Sequence, residues 1–216
     1  MSFQAQGLLC QYLSEDMSGI DLGSLELPKI EKDLVKIKIS HASLNFPDWL
    51  MSQGKYQRKP ELPFFLGMEG SGIIESIGPD VKDLKIDDEV MFGGWGHGAM
   101  ANYIVLPESK ISKKPNALNM AEAAAFATAY TTAYVSLIRR GEMKPDDTVL
   151  IHGSSGGVGM AAVQLAKMFG NRVIATGNGN GNLNKNIFKN SENDFSGSSK
   201  KEKRKNSATS KTFIET

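Results

Sequence analysis

The sequence has little of what staples a fold or binds metal. Its 216 residues include one cysteine, Cys10, and three histidines. A single cysteine excludes an internal disulfide framework and any multi-cysteine metal site. Long hydrophobic runs are missing too. No stretch approaches the roughly 18 consecutive apolar residues of a membrane-spanning helix. The opening MSFQAQGLLCQYLSEDMSG lacks the basic start and apolar run of a signal peptide. Charge of one sign is nearly absent in total: 25 Lys+Arg face 24 Asp+Glu, a net charge of +1. That balance argues against nucleic acid or an anionic membrane as the main partner. With 40% hydrophobic residues the chain can still build a sizeable core. The expectation is a soluble, cytoplasmic protein of one large or two small domains.

The near-neutral total hides an asymmetry. Residues 177–216 carry eight Lys/Arg and four Asp/Glu, a balance of +4, and leave −3 on the other 176 residues. This tail opens with GNGNGNLNKN and is crowded with Asn, Gly and Ser. Such a composition buries too little apolar surface to offset the entropy of ordering, so 177–216 is predicted to be a disordered tail. Its basic run Lys200-Lys201-Glu202-Lys203-Arg204-Lys205 has no interleaved aromatics and reads as solvated rather than as a nucleic-acid site.

The first part of the chain reads as short strands with glycine and proline punctuation. Candidates are 8–13, 34–40, 70–78, 88–92 and 102–106. In Leu34–Ser40, LVKIKIS, period-two alternation predicts a half-buried strand with Lys36 and Lys38 facing solvent. One or two helical turns are expected over 47–53, with Pro47 suited to the first position. The pattern predicts a compact β-barrel over about the first 115 residues. The texture then changes. Asn119 can cap an alanine-rich helix that runs to Gly141. Thr148–His152 is a continuous apolar strand, expected to be buried on both faces. A glycine loop, a helix over about 158–169 and a second apolar strand, 172–176, complete one right-handed βαβ unit.

The loop between strand and helix reads Gly153-Ser154-Ser155-Gly156-Gly157-Val158-Gly159. Gly153, Gly156 and Gly159 have the spacing G-x-x-G-x-x-G, a variant of the dinucleotide fingerprint G-x-G-x-x-G. The requirement is common to both: backbone amides must approach a pyrophosphate, and side chains would block them. The helix start then presents its positive dipole end. The position of the loop, directly after an apolar strand and opening a helix, gives the motif its context.

Residues 146–167, DDTVLIHGSSGGVGMAAVQLAK, resemble the signature of the zeta-crystallin-like quinone oxidoreductases, a zinc-free group of the medium-chain dehydrogenase/reductase superfamily. Upstream, 44–48 (LNFPD), 54–56 (GKY) with 62–64 (LPF), and 67–78 (GMEGSGIIESIG) are similar to further segments of that group, in the same order. The resemblance covers about residues 7–176. It implies an α/β-plus-β chain: a GroES-like β-barrel over 1–118, an incomplete Rossmann (βαβ) domain over 119–176, and then the tail. Zinc-dependent members carry a G-H-E motif; here Met68 stands in the place of that histidine. With His41, His97 and His152 scattered and no pair at ligand spacing, no metal is expected. His152, at the end of a strand, reads as a hydrogen-bonded structural residue.

By resemblance, the chain is expected to transfer hydride from NADPH to a quinone or an activated alkene (enone), the cofactor supplying the chemistry. Gly156, Gly157 and Val158 would offer amides to the pyrophosphate, with Ser155 and Gly159 completing the loop. Thr131 matches a position whose hydroxyl contacts the nicotinamide amide; equally, it can bond back to its own helical turn. Asn45 would orient a carbonyl oxygen, or serve as a turn or cap before Pro47. Tyr56 would stack on or donate to the substrate, or pack against Pro60 or Pro63. Asp48 reads as a helix-start residue.

Two features depart from the family. No residue after the second Rossmann strand marks a preference between NADPH and NADH: the run is Gly177-Asn178-Gly179-Asn180-Gly181-Asn182, with the first lysine at Lys185. And the doubly wound pattern stops after two strands, where about six are the rule. The remaining strands and the surface that makes the family homodimeric are missing, which leads to the expectation of a truncated or frameshifted member. The alternative is a non-catalytic GroES-like binding module.

Overall fold

The structure is a computed structural model of the whole chain, and it describes residues 3–94, 97–177 and 211–212. Two compact units divide between Thr128 and Ala129.

The first unit is the β-barrel. One sheet has the order β2-β1-β4, from β1 (Phe3–Cys10), β2 (Ile20–Leu27) and β4 (Phe64–Phe65). The other has the order β7-β3-β5-β6-β8, from β3 (Leu34–Ser43), β5 (Glu69–Ile77), β6 (Glu89–Phe92), β7 (Tyr103–Pro107) and β8 (Ile111–Lys113). All pairings in both are antiparallel. The seam between the sheets is Gly7, bridged to Ala101. Leu8 N–H donates to Met100 O at 2.8 Å, and a Cβ at Gly7 would lie 2.4 Å from that same oxygen. Only glycine lets the strands cross so closely.

β2 has no counterpart in the sequence reading. Its IDLGSLEL breaks alternation at Gly23-Ser24, and Leu22 is 78% exposed. Gly23 makes room for Leu9, whose Cδ2 would be 2.7 Å from an added Cβ. β3 alternates as expected, with Val35 and Ile37 fully buried. Lys36, however, does not face solvent. Its Nζ lies 3.7 Å from the Phe3 ring centroid and 4.3 Å from that of Tyr103, and it pairs with Glu75. The aromatic side chains of neighbouring strands convert an outward position into a cation–π slot. The glycines of β5 serve close packing: a Cβ at Gly72 would sit 2.3 Å from Lys38 O, beside a register shift in β3.

The helix expected after Asn119 is broken. α2 (Met120–Ala124) is capped by Asn119, whose side chain accepts from Glu122 N–H while the Glu122 carboxylate accepts from Asn119 N–H. It packs on β3 and β5 within the barrel unit, and Ser71 Oγ donates to Met120 O. The sequence reading grouped this helix with the second domain. The chain tightens at Ala125–Phe126 and restarts as α3 (Ala127–Tyr134), which passes into a π-helical turn, Val135–Arg140. The break has a cause: Thr128 N–H donates to buried Glu69 at 2.7 Å, and so is withdrawn from a continuous helical ladder.

The second unit is a parallel βαβ. β9 (Thr148–Ile151) and β10 (Arg172–Ala175) pair in register, and α4 (Gly157–Met168) connects them. The core gathers Leu137, Val149, Ile151, Val163 and Val173 with a row of alanines. β9 is not buried on both faces: Val149 and Ile151 are buried, whereas Thr148 and Leu150 are half-buried. Of the predicted disordered tail, Lys211–Thr212 form β11, parallel to β9 opposite Val149 and Leu150. Apart from Gly177, the rest of that tail lies outside the described residues.

Candidate functional site

In the βαβ unit, the glycine loop closes on itself through the backbone. Gly153 adopts φ +62°. Gly156 N–H donates to Gly153 O at 2.9 Å, and Ser154 N–H to Thr176 O at 3.0 Å. Ser154 Oγ also donates to Thr176 O, and His152 Nδ1 lies 2.8 Å from Thr176 Oγ1. His152 is therefore tied to the end of β10, as a structural residue would be. A Cβ at Gly159 would lie 2.2 Å from Gly153 O, so this glycine is what lets α4 start directly against the loop. At Gly157 the situation reverses: a Cβ there would meet nothing within 4 Å.

Gly156 caps α4, and Gly157 and Val158 are its first residues. Their amides have no carbonyl one turn earlier to bond. Gly156 N–H, expected to face a phosphate, is engaged within the turn instead. Ser155 and Gly157 are exposed, and Val158 is half-buried. The loop thus leaves the first amides of α4 without helical partners at a dipole's positive end, next to an open position at Gly157, which fits the pyrophosphate of a dinucleotide. Thr131 is exposed on α3.

In the barrel unit, two buried carboxylates organise the other predicted residues. Asn45 precedes α1 (Phe46–Ser52). Its N–H donates to Asp48 Oδ2 at 2.8 Å, and Asp48 N–H donates back to Asn45 O at 3.0 Å. The Asn45 side chain does something else: Nδ2 donates to Glu69 Oε1 at 2.8 Å. Glu69, 1% exposed, accepts from Thr128 N–H on its other oxygen. Asp48, also 1% exposed, accepts from Gly67 N–H at 3.2 Å. Burial pushes the Asp48 carboxyl up; the amides of Asn45 and Gly67 oppose the shift, and the Glu69 charge adds to it. Asn45 is thus both a helix cap, through its backbone, and an amide held by Glu69.

A cleft of about 430 Å³ opens beside this network, lined by Tyr56, Gln57, Arg58, Met68 and Gly94. Tyr56 packs its body on the cluster of Cys10, Met51, Phe64, Leu66 and Met68. Met68 is the floor residue adjoining Glu69. Asn45 is not among the lining residues; it reaches the floor through Glu69. Nearby, the His97 ring sits edge-on to Phe64, with centroids 5.4 Å apart. Desolvation and then the Arg58 charge hold its pKa below the ordinary histidine value. The sequence reading did not single out Glu69 or Arg58. Glu69 had a signal, an acidic residue inside an otherwise apolar strand start; Arg58 lies in a basic stretch with no pattern to mark it.

Barrel and glycine loop together define the nucleotide-dependent dehydrogenase class of fold. Residues 31–116 match the alcohol dehydrogenase GroES-like domain. The quinone oxidoreductase-like protein 2 homolog of Nematostella vectensis is 36% identical over 170 residues, covering 78% of this chain and 46% of that protein. The human quinone oxidoreductase is 31% identical over 175 residues, covering 77% of this chain and 53% of the relative. The solved quinone oxidoreductase of Coxiella burnetii superposes with a TM-score of 0.78 at 30% identity, covering 88% of this chain and 62% of that one. The chain is similar to the quinone oxidoreductases of the medium-chain dehydrogenase/reductase superfamily, and spans about half the length of the curated relatives it matches. Among the described residues, no helix is long and apolar enough to cross a membrane.

Proposed function

We propose that this chain is the barrel and cofactor-loop portion of an NADPH-dependent, zinc-free reductase of quinones or activated alkenes. The observation that carries the reading is the glycine start of α4: Gly157 is its first residue, and a Cβ added there would meet nothing within 4 Å. When bound, the nicotinamide cofactor supplies the hydride. Gly157 and Val158 hold its pyrophosphate through their amides, Ser155 and Gly159 shape the loop, and Thr131 contacts the nicotinamide amide. Tyr56 receives the acceptor in the cleft. Asn45 does not line that cleft; its role of orienting the acceptor's carbonyl is taken from the family resemblance, with Glu69, which holds its amide, as the positioning residue. The zinc-free reading rests on Met68, a thioether in an apolar cluster where the zinc enzymes' motif has histidine. A cytoplasmic setting is part of the same reading, supported by a sequence whose one cysteine, Cys10, is buried.

The test is an NADPH titration of the 216-residue chain and of Gly157→Ala. A methyl at Gly157 touches nothing in the fold but stands where the phosphate would approach. The variant should unfold at the wild-type temperature and bind NADPH at least about tenfold more weakly. Absence of NADPH binding by the wild-type chain up to millimolar concentration would overturn the reading in favour of a non-catalytic GroES-like module. NADH in parallel decides the cofactor preference.

A further inference from the structure

The barrel unit holds a second cavity, of about 460 Å³, that shares no lining residue with the cleft beside Tyr56. It lies along the outer strands of the two sheets. β2 is the outer strand of one and β7 of the other, and residues 25–28 and 103–106 both line it, with Phe64 and Phe65 of β4. Leu25, Leu27 and Tyr103 pack on buried Ala5, Leu9 and Phe65 yet are only half-buried, so apolar surface is left to the cavity. Its size suits a small ring compound.

The polar side chains of this lining accept hydrogen bonds, and its charge has one sign. Glu26 and Glu61 line it, whereas no lysine or arginine does. Neither carboxylate has an ion pair among the described residues. The Tyr103 hydroxyl spends its proton on Glu75 at 3.3 Å. His97 also lines the cavity, and its lowered pKa leaves it a neutral imidazole with one accepting nitrogen.

We propose that this cavity binds a small organic cation, an aryl or alkyl ammonium, with its apolar body on Leu25, Leu27 and Phe65 and its ammonium group at Glu26 and Glu61. An anion of the same shape meets two like charges and no cation. Both carboxylates are exposed, so water and salt screen the attraction and the selectivity is modest. The site is independent of the glycine loop and of the reductase reading.

Three probes of one shape test it by calorimetric titration of the full chain at neutral pH: protonated 2-naphthylmethylamine, neutral 2-naphthylmethanol and anionic 2-naphthoate. The amine should bind about fivefold more tightly than the alcohol, the naphthoate most weakly, and added salt should narrow the spread. Glu26→Gln combined with Glu61→Gln should bring the amine to the alcohol's affinity and leave the alcohol's unchanged. Glu31→Gln, at an exposed position outside the lining, should change nothing. Leu27→Trp fills the cavity from its wall and should weaken amine and alcohol alike. Equal binding of the three probes, binding of none, or an amine preference that survives the double substitution or is lost equally in Glu31→Gln overturns the proposal. So does methylammonium that competes at the amine's own affinity, which would show capture of an ion without its ring. Thermal unfolding verifies that each variant folds; Glu26 and Glu61 are exposed, so the charge comparison decides even where Leu27→Trp unfolds. NADPH titration of the same samples bears on the reductase reading alone.

Discussion

The two units build their sites from opposite materials. In the βαβ unit the work is done by backbone: two parallel strands, a glycine turn and the first amides of a helix, with side chains removed so that a ligand can come near. In the barrel unit it is done by side chains: two carboxylates, each 1% exposed, gather the amides of Asn45, Gly67 and Thr128 and the side-chain amide of Asn45. A backbone site is specified by what is missing, so it tolerates no added atom. A buried polar network is specified by what is present, so it tolerates no lost partner.

The difference predicts where each unit breaks. The largest effect belongs to the barrel. Glu69→Ala strands the Asn45 side-chain amide and Thr128 N–H in a buried setting and should cost about 4 kcal/mol in urea unfolding. Glu69→Gln, isosteric and able to satisfy one of the two donors, should cost less than half of that. If the alanine variant unfolded like the wild type, the network would be ornamental and the contrast would fall.

Next comes the loop. Gly159→Ala places a methyl 2.2 Å from a backbone oxygen and should destabilise the βαβ unit by about 3 kcal/mol, visible as an earlier unfolding phase. Paired with Gly157→Ala, whose fold should be unchanged, it separates a glycine needed for packing from one needed for approach. Equal stability of the two variants would erase that distinction.

The smallest effect is a pH dependence. The Asp48 carboxyl is raised in the folded state by burial. Its protonated form is favoured on folding, so its contribution to stability is fully present below the unfolded carboxylate pKa of about 4. That contribution is lost as pH rises through the higher folded value. Asp48→Asn should remove this slope from stability measured between pH 4 and 7, at a cost of about 1 kcal/mol for the acceptor it loses to Asn45 N–H. An unchanged slope would assign the titration to another group.

Much of this was legible in the residues. Period-two alternation located β3, the glycine loop between two apolar segments located the βαβ crossover, and Pro47 after Asn45 located α1. These features depend on neighbours within a few positions. β2 escaped because Gly23-Ser24 interrupts its pattern, and Gly23 is there for Leu9, a residue of another strand. Lys36 was misread because its aromatic neighbours, Phe3 and Tyr103, come from β1 and β7.

By itself the sequence determined the βαβ crossover, the family likeness and the loop able to cradle a pyrophosphate, because each is written in local spacing and in the absence of side chains. Only the tertiary structure decided how the residues are used. It spent the Gly156 amide on a turn, broke the helix at Thr128 with a carboxylate 59 positions away, and gave the Asn45 side chain to Glu69. Those outcomes turn on which buried donor meets which buried acceptor, and that is settled by packing across the fold rather than by any run of neighbouring residues.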